Sequence, residues 1–404
     1  MKHLLTGKNT DEPLKEVVSA LLDTSPSEEA LSKRIRKTSD FINISLLLNN
    51  ICNFDCSYCY SASSRSNVEI DENKLIAALD YFINRKRTGT NQLSLSFLGG
   101  GEPMISKKLI KKAVDHANRL ADREGFDLWF KIVSNGSLIQ AEDIDFILKN
   151  NIELVISYDI LEDIQNLQRK HFDTVSQKIK MLVENGAPLS INTVITPHSV
   201  HRQCEMIEDI TCRFPQIDYL SFEPLMELND WSSRNIDTIF YDDFIANFIP
   251  AHELAEKHDI ELSCSLLRNV DCSVERYCAG EFAVCPDGSI TVCPCVSSPE
   301  MQHYKNYVYG QIHPTGEIDI DEHKLAELLA EDVHNHPECK DCFAKWNCGG
   351  GCIHTNKSDD RTRKKAKCDF IRNFTKKIIW NRTKLDYENG TGKPIMEILN
   401  GANT

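Results

Sequence analysis

Six short apolar runs recur between about residues 43 and 222: Ile44 to Leu48, Leu93 to Leu98, Leu128 to Val133, Leu154 to Ser157, Ile191 to Ile195 and Tyr219 to Phe222. Each is the length of one strand. Between them the apolar positions move to helical spacing. Asp71 to Arg87 puts Leu75, Leu79, Phe82 and Ile83 on one face, and Lys107 to Arg123 and Phe172 to Asn185 behave alike. Strand-then-helix alternation is the pattern of parallel strands joined by crossover helices. Six such units predict an α/β fold, as a partial barrel or an open sheet.

The pattern changes after about Ser263. Phe282 to Val284 and Ile290 to Val292 flank Pro286-Asp287-Gly288, a turn sequence that predicts a hairpin. Asp321 to Glu331 reads as a helix inside a cysteine-free stretch, Ser297 to Pro337. Met1 to Ser39 is a polar leader with some helical pattern, and Tyr387 to Thr404 a tail.

Length and charge narrow the classes. At 404 residues the chain has room for two or three domains. No apolar run approaches the roughly 20 residues that span a bilayer, and the N-terminus lacks a signal-peptide core. The expectation is a cytoplasmic protein with no membrane partner. The net charge of -14 disfavours a nucleic-acid partner. The basic run Arg361 to Lys367 is the local exception, read as a solvated face beside a metal site. Sixteen cysteines in a chain of cytosolic type point to metal or redox chemistry rather than disulfides.

Directly after the first apolar run stands Cys52-Asn53-Phe54-Asp55-Cys56-Ser57-Tyr58-Cys59, a Cys-x3-Cys-x2-Cys array. Three thiolates in one loop can hold three corners of a cubane cluster and leave the fourth iron open. The next run ends in Gly99-Gly100-Gly101-Glu102-Pro103, and the third and fourth in Ser134-Asn135-Gly136 and Ser157-Tyr158-Asp159. Glycine suits a ligand site because backbone without Cβ can approach closely. All these elements fall at strand C-terminal ends, where a βα barrel concentrates its chemistry.

This constellation resembles the radical S-adenosylmethionine (SAM) enzymes. The resemblance assigns Cys52, Cys56 and Cys59 to the catalytic cluster. It assigns SAM contacts to Tyr58, Gly100, Gly101, Glu102, Ser134, Asn135 and Ser157, and to Arg169 as partner of the SAM carboxylate. Glu102 matches the element that holds the SAM amino group. Ile160 stands where relatives carry glycine, and Gln165-Asn166 where they carry His-Asp.

The later cysteines, Cys278-x9-Gly288-x4-Cys293 and then Cys339-x2-Cys342-x5-Cys348-x3-Cys352-x15-Cys368, resemble the SPASM domain. That resemblance implies two auxiliary 4Fe-4S clusters, one on Cys272, Cys278, Cys293 and Cys352, the other on Cys339, Cys342, Cys348 and Cys368. Cys285 and Cys295 compete with Cys272. Cys-x2-Cys is equally half of a zinc ribbon, and the first cysteine loop tips the choice to iron. Free cysteine is usually a small buried hydrophobe, the reading taken for Cys204 and Cys212.

The expected architecture is therefore an N-terminal leader (1–41), a partial (β/α)6 TIM-like barrel of radical SAM type (42–230), a bridging region (231–271), a SPASM domain (272–375) and a C-terminal helix or tail (376–404). The expected cofactors are SAM and three 4Fe-4S clusters. Family members of this kind mostly act on peptides or proteins. The resemblance thus implies a radical oxidoreductase that crosslinks a ribosomally made peptide or a protein through a thioether, carbon-carbon or ether bond. Peptide epimerisation, sulfatase-maturase-like oxidation and a non-catalytic electron carrier are the alternatives. Pro294 follows Cys293 where sulfatase maturases carry Asp. Expected partners are the peptide, with or without a leader, and an electron donor such as flavodoxin or ferredoxin.

Overall fold

Strand β1 (Asn43–Leu46) buries three of its four residues and is the centre from which one eleven-stranded sheet grows. The computed structural model describes residues 36–225, 238–270, 272, 274–301, 303–356 and 361–395. Most of the expected leader (1–35) and the last residues of the tail lie outside these. The chain divides into two units, one of residues 35–264 and 279–330, the other containing residues 265–278 and 331 onward.

In the first unit β1 is followed by β2 (Gln92–Phe97), β3 (Asp127–Ser134), β4 (Ile152–Ser157), β5 (Leu189–Ile195), β6 (Tyr219–Pro224) and β7 (Glu261–Ser263), all parallel and in sequence order. The crossover helices are α1 (Glu72–Phe82), α2 (Lys107–Glu124), α3 (Ala141–Lys149), α4 (Glu162–Gln168), α5 (Phe172–Glu184), α6 (Gln203–Arg213) and α7 (Thr238–Lys257). The α/β prediction holds, and the order is linear, so the sheet does not close on itself. Helix α1 is shorter than its periodicity suggested. Asp71 caps its start by accepting from the Asn73 and Lys74 amides, and the chain leaves helical geometry at Ile83.

The hairpin β8 (Phe282–Val284) and β9 (Ser289–Thr291) forms as predicted and then does more. Strand β8 pairs in parallel with β1. Strands β10 (Val308–Ile312) and β11 (Ile318–Ile320) extend the same sheet in antiparallel fashion. Helix α8 (Glu322–Leu329), capped by Asp321, closes this unit.

The second unit is built on a helix of 31 residues, α12 (Arg361–Thr391), which includes the first residues read as tail. With it are α9 (Ser265–Val270), α10 (Lys345–Cys348) and α11 (Ile353–Asn356). Phe370, Ile371, Phe374 and Ile378 of α12 are buried. Among the described residues, no helix is long and apolar enough to cross a membrane.

Candidate active site

The loop after β1 is held by its neighbours' backbones. Asn49 accepts from the Gly101 amide at 2.8 Å and Ile51 from the Glu102 amide at 2.7 Å. A Cβ on Gly101 would stand 2.0 Å from the Ile51 carbonyl oxygen, and one on Gly100 2.7 Å from that of Asn49. Glycine is required because the two loops touch backbone to backbone.

Glu102 is buried and ties strand ends together. Its carboxylate accepts from Ser134 Oγ at 2.6 Å, the Asn135 amide at 2.8 Å and the Met104 amide at 3.0 Å. Burial lifts its pKa above the ordinary carboxylate value against these three donors. Asn135 in turn donates from Nδ2 to Asn53 Oδ1 at 2.9 Å, joining the end of β3 to the cysteine loop.

Across the site, Tyr58 donates to Asp159, and Arg169 Nη1 donates to the Tyr58 hydroxyl at 2.9 Å. Gln168 Nε2 adds a bond to Asp159 Oδ2 at 2.9 Å. Burial alone would disfavour the Arg169 charge, yet Tyr58, Cys56 and Asp159 hold its pKa above the ordinary guanidinium value. The two departures from the family pattern are accommodated. Ile160 adopts φ 64°, the left-handed turn where relatives have glycine, and Arg213 Nη2 donates to its carbonyl at 2.8 Å. Gln165 accepts from the Asp159 amide at 2.8 Å and donates to the Lys170 carbonyl at 2.9 Å.

Glu102 and Arg169 line one cavity of about 430 Å³, together with all three loop cysteines, Tyr58, Gly100, Gly101, Ser134, Asn135 and Ser157. Every loop and strand-end residue expected at the SAM site is therefore on its wall. Burial raises the Cys52 thiol, and raises Cys56 to about 11 against the pull of Arg169. Such thiols ionise when a cationic cluster takes them. Two buried polar atoms of lining residues, Arg169 Nε and Asn192 Oδ1, have no hydrogen-bond partner among the described residues. Soft thiolate donors, a wall without Cβ and two unanswered polar atoms fit an iron-sulfur cluster with a polar organic ligand.

Several lining residues escaped the sequence reading. Arg65 Nη2 donates to Cys59 Sγ at 3.0 Å and Nη1 to the Gly100 carbonyl at 3.2 Å. Asn192 pairs in register with Ser157, and its polar side chain within the apolar run of β5 was the available signal. Cys295, read from the sequence as a competing cluster ligand, lines this cavity, in the neighbourhood of Tyr60.

In the second unit Cys339, Cys342, Cys348 and Cys368 line one cavity of about 250 Å³ with Lys345, Lys364 and Arg372. Burial and the neighbouring thiols push Cys339 up to about 11 and Cys348 up to about 12. The other proposed set is divided. Cys272, Cys278 and Cys352 belong to this unit and Cys293 to the first. Cys285 is fully buried, donates to the Val296 carbonyl at 3.3 Å and is pushed up to about 12 by burial. The buried-hydrophobe reading fails for Cys212, which is exposed, and Cys204 is only half-buried. Helix α6 buries Gln203, Met206, Ile207 and Ile210, and neither cysteine lies on that stripe.

Residues 46–210 match the family described as the radical SAM superfamily. An uncharacterized protein of Methanocaldococcus jannaschii is 31% identical over 37% of this chain, which spans only 52% of that relative. A cysteine-type anaerobic sulfatase-maturating enzyme of Clostridium novyi is 22% identical over 83% of this chain and 94% of its own length. Among solved structures, native anSMEcpe with bound AdoMet and Kp18Cys peptide matches with a TM-score of 0.68 at 17% identity, covering 84% of this chain and 98% of its own. Streptococcus suis SuiB bound to precursor peptide SuiA matches with a TM-score of 0.58 at 14% identity, covering 87% and 80%. At such identities the likeness is one of fold.

Proposed function

We propose that this chain, which carries a radical SAM domain over residues 46–210, is a cytoplasmic enzyme that modifies a peptide or protein by radical chemistry, with crosslink formation as the outcome. The carrying observation is the single cavity in which Cys52, Cys56 and Cys59 face Gly100, Gly101, Glu102 and Arg169. When bound, a cluster with one open iron and SAM would supply one electron and a 5'-deoxyadenosyl radical that takes a substrate hydrogen.

The chain's own groups do the positioning. Cys52, Cys56 and Cys59 would hold the cluster. Arg169 is fixed through Tyr58 and Asp159 with Nε left over for an anionic group such as a carboxylate. Glu102, held by Ser134 and Asn135, presents an anionic edge to an amine. Ser157 and Asn192 sit side by side for hydroxyl contacts. The two auxiliary clusters, on Cys272, Cys278, Cys293 and Cys352 and on Cys339, Cys342, Cys348 and Cys368, would take the second electron that crosslinking removes from the substrate. A flavodoxin or ferredoxin is the proposed reductant.

The peptide reading is supported by the two fold neighbours whose structures hold peptides. Sulfatase-type oxidation is disfavoured by Pro294. Cys295 on the cavity wall favours one second reading, epimerisation, in which a thiol returns a hydrogen atom to the substrate. Incubation in deuterated solvent with peptides encoded beside the gene separates the readings by mass spectrometry. Crosslinking lowers peptide mass by two hydrogens, whereas epimerisation adds one deuterium. A pure electron carrier leaves every peptide and SAM unchanged.

A further inference from the structure

The C-terminal basic run stands out once α12 is seen whole. Between residues 361 and 377 the sequence carries eight lysines and arginines against one acid, Asp369, in a chain whose net charge is -14. Glu338 takes Lys364, and Asp369 takes Arg372. Lys365 and Lys376, eleven residues apart and so on one side of the helix, are both exposed. Lys365 and Arg372 border the cavity of Cys339, Cys342, Cys348 and Cys368. Lys340, next to Cys339 in the chain, is exposed, and Phe343, next to Cys342, is 51% exposed. Exposed lysines and arginine with an exposed aromatic ring are the composition of a protein-docking patch.

We propose that this rim, formed by Lys340, Phe343, Lys365, Arg372 and Lys376, is the docking surface for an acidic one-electron carrier protein, which reduces the cluster held by the four cysteines behind it. The positive field steers an acidic partner to the cavity that Lys365 and Arg372 line with the four thiols, and Phe343 supplies an apolar contact beside Cys342. The step balances as one electron lost by the reduced carrier and one gained by the cluster, with no bond made or broken. It rests on reading Cys339, Cys342, Cys348 and Cys368 as iron-sulfur ligands.

The test compares two reductants on the full chain with its clusters reconstituted. The triple variant Lys340→Glu, Phe343→Ser, Lys376→Glu leaves the cavity-lining residues in place. Cluster reduction is followed by bleaching of visible absorbance after mixing with reduced flavodoxin or with dithionite. Binding of oxidised flavodoxin is measured by calorimetry at low and high salt. The expected result is a loss of at least about tenfold in flavodoxin affinity and in the flavodoxin-driven rate at low salt. The dithionite rate and iron content stay unchanged, and the wild-type preference for flavodoxin fades with salt. Equal flavodoxin rates in variant and wild type overturn the docking site, as does tighter binding of single-stranded RNA than of flavodoxin to the same rim. If the substitutions Cys339→Ala and Cys342→Ala remove no iron, the ligand reading fails instead.

Discussion

The Tyr58 hydroxyl lies 2.9 Å from each carboxylate oxygen of Asp159, which puts the residue before Cys59 under the control of the end of β4. Arg169 completes the unit from the other side of the same hydroxyl. Asp159 is the only carboxylate bonded to this pair among the described hydrogen bonds. Replacing it by Asn leaves a buried guanidinium without its counter-charge, a change that typically costs about 3–5 kcal/mol. Asp159→Asn is expected to lower the denaturation midpoint and, at temperatures where it stays folded, to weaken SAM binding measured by calorimetry. Unchanged SAM affinity would separate the network from the cofactor site.

Arg65 places a cation against the Cys59 sulfur. A positive charge there favours the more negative, reduced state of a cluster. Arg65→Gln is therefore expected to shift the midpoint potential of the loop cluster downward, on the order of 50 mV. A redox titration followed by electron paramagnetic resonance measures it directly, and an upward shift would contradict the assignment.

Two glycine substitutions make a matched pair. Gly101→Ala must move both the Ile51 carbonyl and the Asn49 side chain, each within 2.2 Å of the added Cβ, whereas Gly89 has nothing within 4 Å. Gly101→Ala should cost about 3 kcal/mol through displaced backbone and abolish SAM binding, and Gly89→Ala should alter stability by less than about 1 kcal/mol. Chemical denaturation of both variants gives the comparison.

The fold carries an acid-sensitive tie at the start of α3. Asp143 is buried, accepts from the Gln140 amide at 3.1 Å, and pairs with Lys111 at 3.0 Å and Lys107 at 3.2 Å. Burial opposes its ionisation, but Lys111, the Gln140 amide and Lys107 together lower its pKa. A depressed carboxylate stabilises the fold above its unfolded pKa near 4 and loses that contribution as pH falls through its lower folded value. Both lysines are about a third exposed or more, so the contribution is about 1 kcal/mol. Asp143→Asn should lower the melting temperature at pH 7, and the gap from wild type should narrow as pH falls below the unfolded carboxylate value and close once the folded carboxylate is protonated.

Much of this was readable from residue order. The six apolar runs correspond to β1 through β6, and the cysteine loop, the Gly100 to Glu102 element and Arg169 meet where strand ends imply they should. Strands β7 and β8 were harder, for different reasons. Glu261–Ser263 is too short for any period to register. Phe282–Val284 was visible as half of a hairpin, but its parallel pairing with β1 is a contact across more than two hundred residues. Arg65 and Asn192 carry no local pattern and acquire meaning only from what the fold sets beside them. Ile160 marked a departure whose outcome depended on packing. A left-handed β-branched residue costs about 1–2 kcal/mol, and full burial of its side chain with the Arg213 bond to its carbonyl offsets that.

On the proposed function, Cys52, Cys56 and Cys59 equip this cavity to cleave SAM reductively. The most direct measurement is 5'-deoxyadenosine released when anaerobically reconstituted protein is mixed with SAM and dithionite. The wild type is expected to release it even without a peptide, and Cys56→Ala none above background. An iron-loaded wild type that releases none, or a Cys56→Ala variant that releases as much as wild type, would contradict that function.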